Sequence, residues 1–258
     1  MGKVIVVANQ KGGVGKTTTS VNLSAYLGDY KKRVLVIDCD PQGNTTSGFG
    51  IDKTALDKTV YDVLVNETSI KDAIIETKYK NLSVCPSDVN LAGAEIELVL
   101  AENREYILKK ALEEVEKEYD FIIIDCPPSL GLLTLNAFAA TDSVIIPIQC
   151  EFYALEGLGQ LTNTITSLKK SINSSLEIEG ILLTMFDKRT NLSGLVMEEV
   201  KKFFPDKVFK TVIPRNVRLS EAPSFGEPIL SYDKLSKGAF AYKALAKELI
   251  KNQPKEDK

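Results

Sequence analysis

The run Lys11-Gly12-Gly13-Val14-Gly15-Lys16-Thr17-Thr18 restricts what this chain can fold into more than any other segment. A short apolar stretch over residues 4–8 precedes it and reads as a buried strand. A helical pattern follows from Thr17 to about Tyr30. Strand, glycine loop, Lys-Thr and helix together form the arrangement that holds nucleotide phosphates. Glycines let the backbone curl so that its N–H groups point inward, and the helix start adds partial positive charge. In that chemistry Lys16 serves the β- and γ-phosphates and the Thr17 hydroxyl serves Mg²⁺, so a nucleotide with Mg²⁺ is the expected ligand. The loop departs from the common G-x-x-x-x-G-K-[ST] form in two ways. Gln10 stands at the first glycine position, and an extra lysine, Lys11, opens the loop.

Around this loop, apolar strand-length runs alternate with helical patterns. Strands are expected at 33–38, 81–85, 121–125, 143–148, 178–184 and 208–213. Helices are expected near 59–76, 91–118, 131–139, 153–173, 192–203 and 238–252. Continuous Val/Ile runs joined by helices imply an α/β fold with a mostly parallel twisted sheet covered on both faces. In such a sheet ligands gather at the carboxyl ends of the strands. A chain of 258 residues without repeats or linkers is read as one domain over 1–252, with a frayed, disordered tail at 253–258.

Two further motifs belong at that edge. Residues 34–44 run from an apolar strand into Asp38-Cys39-Asp40-Pro41-Gln42-Gly43-Asn44, which places Asp40 just past the strand end to orient an attacking water. Residues 121–125 are four apolar residues ending in Asp125, followed by Cys126-Pro127-Pro128-Ser129-Leu130-Gly131. A carboxylate there can hold Mg²⁺ directly or through its water.

Composition removes several function classes. The chain has no histidine, which excludes histidine acid–base chemistry and histidine metal ligation. Its four cysteines form no C-x-x-C pair and read as small buried residues of a reducing cytoplasm. No apolar run is long enough to span a membrane, and the first strand begins too early to leave room for a signal peptide. The net charge of −3 is not that of a nucleic-acid binder, but it is unevenly spread. Residues 187–218 carry eight basic and four acidic side chains, a balance of +4. Residues 88–120 carry ten acidic and four basic, a balance of −6. Lys234, Lys237, Lys243, Lys247 and Lys251 follow near the C-terminus.

The pattern Lys-Gly-Gly-x-Gly-Lys-[ST] resembles the deviant Walker A ATPases, the ParA/MinD group of P-loop NTPases. Residues 38–44, 125–131 and 213–223 match that group's Soj-type ParA pattern closely, and the likeness runs from Met1 to about Leu249. The resemblance implies an ATP hydrolase with weak intrinsic activity, acting in chromosome or plasmid partition. It implies that Lys11 reaches across a homodimer interface to the partner's nucleotide and that Pro214 and Asn216 flank the adenine. Asp40 supports hydrolysis. Arg189 and Arg218, joined by Lys234, Lys237 and Lys247, would bind double-stranded DNA without sequence preference. A ParB-like partner would stimulate hydrolysis and release the cytoplasmic, nucleoid-associated dimer. The alternative within the group is a MinD-like membrane-associated regulator. The C-terminal segment weighs against it: residues 247–258 hold no aromatic and end in proline and two acids.

Overall fold

The structure, a computed structural model, describes residues 2–151 and 154–253. Seven strands form one sheet: β1 (Lys3–Val7), β2 (Val34–Asp38), β3 (Ile75–Glu76), β4 (Leu82–Cys85), β5 (Phe121–Asp125), β6 (Ser143–Gln149) and β7 (Glu177–Thr184). Their spatial order is β3-β4-β2-β5-β1-β6-β7. All neighbours are parallel except β3, which pairs antiparallel with β4. β1 therefore lies between β5 and β6, and the loop that leaves it emerges where the strand order reverses.

Strand side chains alternate between two cores, as a period of two requires. Val4, Val6, Leu35, Ile37, Ile122 and Ile124 face one layer, which contains Leu108, Leu133 and Phe138. Ile5, Val7, Val34, Val36, Phe121 and Ile123 face the other. There they meet α1 (Lys16–Asp29) and the C-terminal helix Lys237–Asn252, through Leu23, Leu27, Tyr242 and Leu245. Both faces of the sheet are thus sealed, and only its ends are open to ligands.

Three expectations from sequence need correction. The helix expected over 59–76 is two short helices, Val60–Val65 and Ile70–Ala73, followed by β3. Glu67 takes a left-handed backbone (φ 51°) and breaks the run, while Ser69 accepts a bond from Lys71 N to start the second helix. The helix expected over 91–118 is likewise divided into Leu91–Glu97, a 3₁₀ turn Leu98–Leu100 and Ile107–Leu112, with Asn103 at φ 51° between them. Residues 208–213 form no strand. They run beside β7 through isolated contacts: Val208 bridges Ile181, Phe209 N donates to the Ile181 carbonyl (3.0 Å) and Ile213 N donates to the Leu183 carbonyl (2.8 Å), while just beyond both segments Pro214 bridges Phe186. Between these, the Glu248 carboxylate accepts the N–H groups of Lys210 (2.7 Å) and Thr211 (2.9 Å), so these donors are taken away from the sheet ladder. Beyond residue 213 the chain forms two helical turns, Val217–Glu221 and Ile229–Tyr232, with a 3₁₀ turn, Ala222–Phe225, between them.

Glu248→Ala leaves these two amides without their acceptor. It should cost about 1–3 kcal/mol, the scale of hydrogen bonds to a charged group. Hydrogen exchange should show Lys210 and Thr211 losing protection while strand amides of β5 keep theirs.

Candidate functional site: a phosphate loop over a buried carboxylate pair

Loop 8–15 leaves β1 and enters α1 through two left-handed glycines, Gly13 (φ 73°) and Gly15 (φ 90°). A Cβ at Gly12 or Gly13 would meet nothing within 4 Å, so these two positions line open space. No side chain caps the start of α1, which leaves its first N–H groups to a ligand. The loop is braced from both sides. Thr184 at the end of β7 donates to the Val14 carbonyl (2.8 Å). Asn9 accepts from Lys11 N (3.0 Å) and donates to the Pro147 carbonyl on β6 (2.8 Å). Lys16 is buried and its ammonium donates to the Lys11 carbonyl (3.1 Å), lying across the loop. Burial lowers its pKa, against the pull of Asp125 and Asp40.

Beneath the loop, Asp125 is fully buried at the end of β5. Its Oδ2 accepts the hydroxyls of Thr17 (2.9 Å) and Thr45 (2.7 Å), and its Oδ1 accepts that of Ser20 (2.9 Å). Asp38 sits in register with it on β2. Asp38 Oδ2 accepts Thr46 N (2.8 Å) and the Thr46 hydroxyl (2.7 Å), and its Oδ1 accepts Asp40 N (3.2 Å). Those bonds give Asp38 the job of shaping the loop that carries Asp40. Asp40 itself is buried, with Oδ1 accepting Gln42 N (2.9 Å). Burial pushes the Asp38 carboxyl up to about 7 and the Asp125 carboxyl up to about 6, each helped by a neighbouring carboxylate. The buried Asp125 carboxyl, the Thr17 hydroxyl beside it and an open cradle of N–H groups suit a hard divalent cation carried by phosphates. Thr17 and Asp125 are the residues present to hold it.

The sequence did not single out Ser20, Thr45, Asn9 or Thr184. Only Ser20 carried a readable signal, being one helical step of three from Thr17. The other expected residues divide. Lys11 pairs outside the loop with Glu151 (3.1 Å), its side chain 40% exposed. Pro214 bridges to Phe186, and Asn216 Oδ1 caps the next helix by accepting Arg218 N (2.8 Å). Pro214, Arg189 and Lys237 line one cleft. Arg218 lies elsewhere, paired with Glu221 (2.9 Å) and Asp233 (3.5 Å), the latter next in sequence to exposed Lys234. Lys247 is exposed on the C-terminal helix, ten residues beyond Lys237. Arg189 is held by Asp187 through both guanidinium contacts (2.9 and 2.7 Å).

Comparison with known proteins decides the family. The sporulation initiation inhibitor protein Soj of Bacillus subtilis is 62% identical over 252 residues, covering 98% of this chain and all of that one. The chain belongs to the ParA/Soj family of partitioning ATPases. Within it, the chromosome partitioning protein ParA of Myxococcus xanthus is 55% identical, covering 97% of this chain and 89% of its own. An AAA domain model matches residues 2–178. The cobyrinic acid a,c-diamide synthase of Mycobacterium smegmatis, solved with ADP and magnesium, superposes with a TM-score of 0.85 at 39% identity, covering 97% and 95% of the two chains. The mostly parallel P-loop ATPase architecture expected from sequence is the one found. Among the described residues, no helix is long and apolar enough to cross a membrane.

The carboxyl pair has a measurable consequence. Raised carboxyl pKa values mean that the folded chain holds protons the unfolded chain has released. The stability they bring is full below the ordinary Asp value of 3.8 and is lost as pH rises through about 6 to 7. With no histidine in the chain, few other groups titrate there. The Tm of nucleotide-free protein should therefore fall between pH 5 and 7.5, and Asp38→Asn should flatten that slope. Scanning calorimetry across this range checks both.

Proposed function

We propose that this chain is an ATP-driven DNA-partitioning switch of the Soj type, with ATP and Mg²⁺ as its cofactors. The observation that carries the reading is the convergence of Lys16, Thr17, Asp40 and Asp125 at the carboxyl ends of β1, β2 and β5. In this reading the loop N–H groups and Lys16 bind the β- and γ-phosphates. Thr17 and Asp125 hold Mg²⁺, which when bound neutralises charge between those phosphates. Asp40 orients the attacking water, and its backbone is fixed for that task by Asp38 and Ser87. Lys11, whose ammonium pairs with Glu151 outside the loop, reaches the nucleotide of a second copy of the chain in an ATP-bound homodimer. Pro214 and Asn216 flank the adenine. Catalysis is positioning and charge stabilisation, without a covalent intermediate.

The dimer binds double-stranded DNA without sequence preference through Arg189, Arg218, Lys234, Lys237 and Lys247, each exposed. A ParB-like partner accelerates a slow intrinsic hydrolysis, and the released monomers leave the nucleoid. The balance of +4 over residues 187–218 supports the assignment, and joining two such patches raises the number of phosphates neutralised.

Three experiments test this. Asp40→Ala should form the ATP dimer on size exclusion yet release phosphate more slowly by roughly tenfold or more. Lys11→Ala should bind ATP and stay monomeric. A wild-type rate in the first, or a stable dimer in the second, removes that residue's role. For DNA, anisotropy on two unrelated duplexes should show ATP-dependent binding whose log K falls by about 0.9 per phosphate contact for each decade of salt. Asp187→Asn frees Arg189 from its own carboxylate and should tighten binding by roughly two- to fivefold on both duplexes. Arg189→Glu should weaken binding on both, and a preference for one duplex would contradict the reading.

A further inference from the structure

The segment after β4 grips the nucleotide site at two points. At its start, Ser87 is fully buried; its hydroxyl donates to the Asp40 carbonyl (2.9 Å) and its N–H donates to the Thr46 hydroxyl (2.9 Å). Thr46 is the residue that holds Asp38. The segment then forms the helix Leu91–Glu97, which buries Leu91 and Ala94. Eight residues after Ser87, Glu95 reaches the start of the helix that follows β5 and its loop. Its Oε2 accepts Leu132 N (2.7 Å) and its Oε1 accepts Leu133 N (3.3 Å).

Those two amides begin the helix Leu132–Ala140, which has no cap from its own N-cap residue, Gly131. A carboxylate at a helix start satisfies orphan donors and meets the positive end of the dipole. The loop between Asp125 and this helix, residues 126–131, is fixed at one end by β5. Pro128, Ser129 and Leu130 within it are exposed. Thr134 ties the Ser129 carbonyl to the same helix (2.7 Å). The far end of the loop therefore rests on Glu95. Gly131 is part of the fit: a Cβ there would overlap the Glu95 carboxylate.

We infer that Glu95 is a positioning residue for ATP hydrolysis, holding in place loop 126–131, which leaves the nucleotide site directly after Asp125, while Ser87 holds Asp40. This rests on the ATPase reading above. Glu95 touches neither phosphate loop nor Asp125, whose carboxylate is held separately by Thr17, Ser20 and Thr45. Its loss should consequently slow turnover without weakening nucleotide binding.

The test is steady-state phosphate release by the full chain with Mg²⁺ and ATP, alongside ATP affinity by fluorescence titration. Glu95→Ala should lower kcat about fivefold or more and leave the ATP Kd within twofold. Glu95→Gln, whose amide oxygen still accepts an N–H, should recover at least half of the wild-type kcat. Gly131→Ala expels the carboxylate from its seat and should lower kcat by a similar factor. The double variant Glu95→Ala/Gly131→Ala should be no slower than the slower single, since both remove one contact. A kcat within twofold of wild type in Glu95→Ala overturns the inference. So does a loss of ATP affinity matching the loss of kcat, or full additivity in the double variant. Absence of ATP-dependent phosphate release in the wild-type chain overturns the ATPase reading itself, and the inference with it.

Discussion

Everything at the open end of the sheet is arranged around the carboxylate of Asp125. It is buried in the middle of a seven-stranded sheet, where an uncompensated charge is costly. Three hydroxyls compensate it: Thr17 and Ser20 from the first turns of α1, directly behind the phosphate loop, and Thr45 from the segment that follows Asp40. Lys16 adds the opposite charge nearby. One side chain thus sets the spacing between loop, helix and the loop after β2. The position follows from topology, because β5 lies between β1 and β2 and its last residue faces both Val7 and Asp38 in register.

The same geometry brings Asp38 beside Asp125, and burial raises both carboxyl pKa values. The nucleotide-free site stores unfavourable carboxylate charge near neutral pH. A divalent cation arriving with phosphates relieves that charge, so site and ligand stabilise each other by linkage. Asp38 takes no direct part in this scheme; its oxygens are consumed by Thr46 and Asp40 backbone and hydroxyl donors.

The phosphate loop, both aspartate motifs and six of the seven strands were legible in the sequence, because each is local: a glycine pattern, or an apolar run ending in an acid. What was not legible depends on partners distant along the chain. Residues 208–213 have strand composition, yet Glu248 from the last helix takes two of their donors. The grip of Glu95 on Leu132 spans 37 residues and has no periodic signature. The break at Glu67 rests on a left-handed backbone at a residue that does not announce it, whereas Asn103 is of a type that adopts one readily but stands inside an otherwise helical pattern. The count of basic residues over 187–218 was correct as a charge, but it did not show that Arg189 and Arg218 are each paired with their own acids.

The most direct test of this account is the Mg²⁺ dependence of ATP affinity in wild type and Asp125→Asn, a near-isosteric change whose amide oxygen can still accept the Thr17 and Thr45 hydroxyls while its NH2 turns to Ser20. If Asp125 and Thr17 hold the cation, Mg²⁺ should tighten ATP binding to the wild type, and Asp125→Asn should lose most of that enhancement while retaining its Mg²⁺-free affinity. An enhancement of equal size in both proteins would contradict the account.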